Sequence, residues 1–245
     1  MKKFIQKLLL FFTLFLMNFV VGQNQTGVIK YKGSLNQKFV DSVLKNLKTK
    51  DIPMSHKKFS IEAYNNARDV EFILKFKDHE SYYYYNPDLE IVSGYNTTKG
   101  MVSTMPYYTN NSLDRIIEIN KYVGNISHTP LKWEVTNETK KIGTYLCYQA
   151  IATEELYSRK GVFYNEKVIA WFTPKIPLNY GPKSYKGLPG LILEIQKKKF
   201  SITAIEISLN PTKEVKIKTP NIDKVITKEE SHQRYKEVIE DRKNN

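Results

Sequence analysis

The sequence predicts a β-rich α+β domain: mainly antiparallel sheet, curved toward a half-barrel, with an amphipathic helix near its start and a second helix at its end. Three observations carry this. Apolar and polar residues alternate over several separate segments, the period of a strand with one buried face. The segments with helical spacing lie toward the two ends of the chain. Strands therefore do not alternate with long helices, which disfavours a parallel α/β arrangement.

The chain has 245 residues. It opens with Lys2, Lys3 and Lys7, then an apolar run from Leu8 to Val21 broken by Thr13 and Asn18, and a small residue at Gly22. A basic head, an apolar middle and a small residue at the end are the parts of a cleavable secretory signal. The run is short for a membrane span, which needs about 20 apolar residues. Residues 1–22 are therefore expected to be a signal peptide, and residues 23–245 one domain with a helical tail from about residue 223. Cys147 is the sole cysteine. An exported domain with one cysteine has no internal disulfide, and a mid-strand position between Leu146 and Tyr148 suits packing.

Thr26–Tyr31 is expected to be a first short strand. Ser34 and Gln37 then have the spacing of a capping box. Leu35, Phe39, Val40, Val43, Leu44 and Leu47 follow at helical spacing, predicting a helix to about Lys48 that Asp51-Ile52-Pro53 stops. Val70, Phe72, Leu74 and Phe76 alternate with Glu71, Ile73, Lys75 and Lys77, a half-buried strand. Asp78-His79-Glu80 is its turn and Ser81–Tyr85 its return. Four tyrosines in a row, Tyr82 to Tyr85, must divide between two faces.

Short strands are expected between Arg115 and Val135, and clearer ones over Gly143–Thr153 and Glu166–Thr173. In the first of these, Tyr145, Cys147 and Ile151 would share a face. A proline- and glycine-rich segment follows, from Pro174 to Gly190. Leu191–Gln196 and Phe200–Leu209 then form a hairpin around Lys197-Lys198-Lys199, with Ile205, Ile207 and Leu209 on one face. Thr227 and Glu230 have capping-box spacing before a last helix whose apolar side is Tyr235, Val238 and Ile239.

The formal net charge is +13, and of 38 basic residues only Arg68, Arg115, Arg159, Arg234 and Arg242 are arginines. Lysine is a hydrated point charge, whereas arginine suits bidentate phosphate contacts. The lysines are spread along the chain and form no stripe, so nucleic acid is not the expected partner. Attraction to acidic polysaccharide or anionic lipid fits such a charge.

The motif Gly187-Leu188-Pro189-Gly190-Leu191-Ile192 stands out. Upstream are Trp133-Glu134, Ile142-Gly143-Thr144-Tyr145, Cys147-Tyr148-Gln149-Ala150, Ala170-Trp171-Phe172-Thr173-Pro174, Ile176-Pro177 and Gly181-Pro182, with Leu193-Glu194 downstream. In this order the blocks resemble the GLPGLI family, most strongly from Trp133 to Glu194. The resemblance implies an exported protein of the Bacteroidetes envelope. It implies no particular activity and transfers no catalytic residue. Thr144 departs from a glycine common in the family, at a turn. Physically, Pro189 holds Leu188 extended and Gly187 and Gly190 allow special backbone geometry. The motif thus reads as a shaped lead into a strand, packed against a large residue such as Trp171, with Leu191, Leu193 and Ile195 on one face.

Catalytic patterns are scarce. His56, His79, His128 and His232 have no zinc-ligand spacing, and there is no nucleophile elbow, phosphate loop or dinucleotide fingerprint. His79 between Asp78 and Glu80 reads as a polar turn. Glu154-Glu155 reads as a loop, and Glu194 faces either a cavity or solvent. No catalytic, cofactor or metal residue is assigned. The 17 tyrosines suit either strands or the gripping of peptides, sugars or lipids. The five Asn-x-Ser/Thr sequences at Asn24, Asn96, Asn110, Asn125 and Asn137 read as composition. The expected function is a non-enzymatic binding, carrier or accessory protein of the envelope, for a lipid, a peptide or an outer-membrane partner. The layout is analogous to half-barrel lipoprotein carriers, although layout does not establish function. The alternatives are a structural or adhesive protein, and a hydrolase whose site uses His79 or His128 with a carboxylate.

Overall fold

The structure is a computed structural model and describes residues 25–87, 96–158, 161–221 and 224–244. The expected signal, residues 1–22, lies outside them. In chain order the elements are β1 (Thr26–Leu35), α1 (Gln37–Thr49), α2 (Met54–Asn65), β2 (Val70–Lys77), β3 (Glu80–Tyr85), α3 (Thr97–Val102), β4 (Tyr107–Asn110), β5 (Arg115–Glu118) and β6 (Asn125–His128). There follow β7 (Glu134–Ile142), β8 (Tyr145–Tyr157), β9 (Phe163–Thr173), β10 (Leu191–Gln196), β11 (Phe200–Leu209), β12 (Val225–Ile226) and α4 (Lys228–Asn244). The strands form one sheet in the order β12-β6-β5-β4-β3-β2-β1-β11-β10-β9-β8-β7. Every neighbouring pair is antiparallel except β12 with β6. The fold is thus the β-rich, mainly antiparallel class that the alternation predicts, with helices near its start and at its end.

One face runs through the register: Ala150 opposite Ala170, Ala170 opposite Ile195, Ile195 opposite Ile202, Ile202 opposite Gly33. Farther along, Tyr31 faces Phe72, Leu74 faces Tyr83, Tyr83 faces Tyr107 and Tyr107 faces Glu118. Residues on this face are mostly buried from β8 to β6, while at the β7 edge Val135, opposite Ala150, is 56% exposed. The sheet curls about it, as twisted sheets of many strands do. Curling brings α4, which follows the β12 edge, against the β8–β9 hairpin. The Lys228 ammonium donates to the Glu155 carbonyl at 2.6 Å and His232 stacks on Tyr157 at 4.6 Å.

The four tyrosines divide as alternation requires. Tyr83 and Tyr85 pack with Phe72 on the inner side. Tyr82 and Tyr84 lie on the outer side beside Tyr108, Ile117 and Ile217. The capping box of α4 also forms: the Glu230 N–H donates to Thr227 Oγ1 at 3.1 Å and the Thr227 N–H to Glu230 Oε2 at 2.7 Å.

Other expectations are corrected. Ser34 caps no helix, because β1 continues through Leu35, pairing Ser34 with Ser201 and Leu35 with Phe200. Asn36 takes the cap position and is tied across the sheet, its N–H to the Lys199 carbonyl and its Nδ2 to the Lys197 carbonyl. Cross-strand pairing outweighs a local cap of about 1 kcal/mol. Ile205 does not share the buried face of Ile207. A bulge opposite Lys30/Tyr31 leaves it without a pairing partner and 53% exposed. Helices α2 and α3 and strand β4 had no strong periodic signal, and α2 contributes no fully buried residue.

Candidate functional site

The site is built on the segment between β9 and β10, residues 174–190, which we call the strap. Proline and glycine keep it from extending either strand. It first doubles back along β10, the Leu191 N–H donating to the Ile176 carbonyl at 2.9 Å and the Ile192 N–H to the Tyr180 carbonyl at 3.0 Å. It then crosses the inner side of the sheet. Tyr180 stacks on Phe76 at 5.7 Å and donates its hydroxyl to the Asp78 carbonyl at 3.1 Å. The Lys183 ammonium lies 5.8 Å from the Tyr107 ring and 5.9 Å from the Phe200 ring, and donates to the Val102 carbonyl at 3.0 Å. Tyr185 joins Ala150, Ala170, Ile195 and Leu188 in a buried cluster. Lys186 reaches Asp114 at 2.7 Å and Asn111 at 3.1 Å in the β4–β5 turn. One segment thereby touches the inner residues of β2, β4, β8, β9 and β11, and fills the concave side that a carrier would leave open.

Charged groups are enclosed with it. Glu154 and Glu166 are directly opposite each other on β8 and β9. Lys197, in the β10–β11 turn, bridges them at 2.6 and 3.0 Å with only 6% of its side chain exposed. Tyr185 adds a hydroxyl to Glu154 at 3.0 Å. Burial works to raise the Glu154 carboxyl, but Lys197 and these hydrogen bonds outweigh it and hold it below the ordinary range. Burial likewise works to lower the Lys197 ammonium, and the two carboxylates hold it above its usual value. Lys183 makes no such pair within 4 Å among the described residues, and burial lowers it.

A second group lies on β4, β5 and β6. Glu118 accepts from the Tyr107 hydroxyl at 2.8 Å and from Asn120 at 2.9 Å, and lies 3.2 Å from His128 Nε2. Burial alone would raise its carboxyl, yet His128, Asn120 and Tyr107 together bring it from 4.5 to about 2. A carboxylate held low in the folded state stabilises the fold above its unfolded value and loses that contribution as pH falls through its folded value. Stability should therefore drop between about pH 4.5 and about pH 2. Thermal unfolding measured across this range checks it. Glu118→Gln should flatten the profile by on the order of 3 kcal/mol, and an unchanged profile would count against this assignment.

Of the residues singled out in the sequence, His128 meets a carboxylate, Glu118, and the others do not converge. His79 is exposed in the β2–β3 turn, and His56 is exposed on α2. No group of three histidine, cysteine or acidic residues able to hold a metal occurs among the described residues. Cys147 is fully buried on β8, and burial pushes its thiol up to about 11, which disfavours the thiolate. Glu154 is in a strand, not a loop, and Glu194 is buried, ion-paired with Lys140, whose ammonium also lies 4.4 Å from the Trp171 ring. A bulge at Ile192/Glu194 explains this. It shifts the alternation, so Leu191 and Ile195 lie on opposite faces, a correction to the expectation that they share one.

The motif packs against both tryptophans. Leu191 and Leu193 are clustered with Trp171 as expected. Gly187, at φ +97°, lies under Trp133, and Trp133 Nε1 donates to the Lys186 carbonyl at 2.8 Å. Gly190 is pressed against the backbone of Thr173: a Cβ there would stand 2.2 Å from the Thr173 carbonyl oxygen.

Residues 158–194 match a family model described as "Protein of unknown function (Porph_ging)". The matched stretch contains β9, the whole strap and the start of β10. No curated protein matches the chain. Among the solved structures that resemble it are two, each 14% identical. "Structure of PNGF-II in C2 space group" has a TM-score of 0.47 over 88% of this chain and 32% of that one. "Structure of PNGF-II in P21 space group" has 0.45 over 83% and 31%. The chain spans about a third of the length of those chains. No helix among the described residues is long and apolar enough to cross a membrane.

Proposed function

We propose that the chain is an exported, non-enzymatic binding protein of a bacterial cell envelope, one of the GLPGLI proteins, and that it holds its partner on its outer surface. The export reading is supported by the sequence of residues 1–22, and the family reading by the motif blocks from Trp133 to Glu194. The observation that carries the surface reading is the strap. A carrier of lipid needs an unfilled apolar cavity. Here Tyr180, Tyr185 and Leu188 cover the inner face, and a cargo would have to break the Lys186–Asp114 and Tyr185–Glu154 contacts to displace them. His128 does meet a carboxylate, but Glu118 is shared with Tyr107 and Asn120 in a half-enclosed bridge; that arrangement, the exposed turn position of His79 and the buried thiol of Cys147 favour a structural reading over hydrolysis.

The test is native mass spectrometry of the mature protein purified from its own envelope. The expected result is a polypeptide mass with no lipid or other small cargo attached. A stoichiometric lipid mass would overturn the surface reading and restore the carrier.

A further inference from the structure

We propose that the outer face of β2 and β3 is a binding site for an acidic polysaccharide. This rests on the outer-surface reading above and names its ligand. The outer residues of these strands pair as Lys75 with Tyr82 and Ile73 with Tyr84. The later segment around Lys216 and Lys218 crosses the same face, where Ile217 packs beside Tyr82 and Tyr108. Between them is an open cleft of about 440 Å³, walled by Lys75, Tyr82, Tyr84, Pro106, Lys216 and Lys218 among others.

Three features fix the chemistry. Three lysines line the cleft and no carboxylate does, so the field there is positive. Among the described residues, the one ion pair that any of them makes joins Lys216 to Glu214 at 3.8 Å, with side chains 82% and 67% exposed; water can replace it at little cost. Tyr82 is buried and backs the partly exposed Tyr84 ring, 5.5 Å away, and the Lys75 ammonium is 5.7 Å from the Tyr84 ring. A ring face beside a cation suits a ligand with flat apolar patches and negative groups in alternation. A uronic-acid polymer has both, since the C–H face of a sugar can lie on the Tyr84 ring while its carboxylates meet the lysines. A membrane would instead call for an apolar protrusion, and this surface is recessed.

The experiment is calorimetric titration of the mature chain with polygalacturonate oligomers, with a neutral glucan of the same length and phosphatidylglycerol vesicles as comparisons. Binding to polygalacturonate that weakens with salt, and none to the neutral glucan, is expected. The double variant Lys216→Gln/Lys218→Gln should weaken binding about tenfold or more. Lys198→Gln/Lys199→Gln removes the same charge at exposed positions elsewhere and should leave binding within about twofold. Tyr84→Ala leaves the charge unchanged and should weaken binding about tenfold. Equal losses from the two lysine pairs, insensitivity to Tyr84→Ala, or binding to the vesicles alone would overturn the site. The mass spectrum of the same preparation separates the two failures. A bare polypeptide that ignores polygalacturonate sinks this ligand only, whereas retained lipid sinks the surface reading as well.

Discussion

Lys197→Met should cost about 3–5 kcal/mol of stability and lower the melting temperature by roughly 10 °C. The substitution keeps the length of the side chain but removes the charge between Glu154 and Glu166, which are then left facing each other across β8 and β9. Removing one partner of an enclosed ion pair is costly because the remaining charge has neither water nor a counter-ion. Two comparisons separate charge from packing. Lys30→Met removes an exposed partner of Glu206, 38% and 57% accessible, and should cost under about 1 kcal/mol. Adding Glu154→Gln and Glu166→Gln to Lys197→Met should restore much of the loss. Chemical denaturation of the four proteins reads this directly, and a loss no larger than that of Lys30→Met would contradict the enclosed bridge.

The other large effect belongs to the motif. Gly190→Ala should cost more than about 4 kcal/mol, at the exceptional end of single substitutions. The new methyl would stand 2.2 Å from the Thr173 oxygen, 2.6 Å from its carbonyl carbon and 2.9 Å from the Pro174 nitrogen, all backbone atoms. Thr173 cannot retreat, because it is paired with Leu191, the residue after the glycine. The backbone at Gly190, φ +155°, also disfavours a side chain. Gly187→Ala provides the scale. Its methyl would meet only Trp133 at 3.7 Å, an ordinary contact, while φ is +97°. Conformational strain of about 1–2 kcal/mol is expected there. Similar melting temperatures for the two variants would mean that the ends of β9 and β10 do not approach so closely.

Much of the sheet was legible because its signals are local. Alternation over Val70–Lys77 and the turn residues after it place β2 and β3 almost to the residue, and the hairpin of β10 and β11 follows from two apolar runs about a lysine turn. What the sequence hid depends on residues far apart. The bulge that turns Glu194 inward to Lys140 is a product of pairing with β9. The bulge that exposes Ile205 is a product of pairing with β1. Lys197 stands in the lysine run about the hairpin turn, yet it is buried beside exposed Lys198 and Lys199. Its signal was Glu154 and Glu166, whose burial only the β8–β9 register reveals. The strap was recognised by composition as a break between strands, and its path through the concave side needed the curl of the whole sheet. The Tyr–Lys cleft has a partial signature in Lys75 and Tyr82 to Tyr85, but Lys216 and Lys218 join it only in three dimensions.

Strand β1 has a consequence for how the chain comes to its final shape. It is held between β2 and β11, with Thr26 beside Lys77 on one side and Gly27 opposite Leu209 on the other. The first strand described thus needs a neighbour synthesised nearly the whole domain later. Loops of that span close slowly, and chains dominated by such distant pairings are slow to fold. Until Phe200–Leu209 has emerged, β1 can pair with β2 but its other edge has no native partner, so the sheet cannot be completed before the late strands are made. Under the export reading proposed above, this architecture postpones commitment: the last edge of β1 closes only when almost all of the polypeptide has been made.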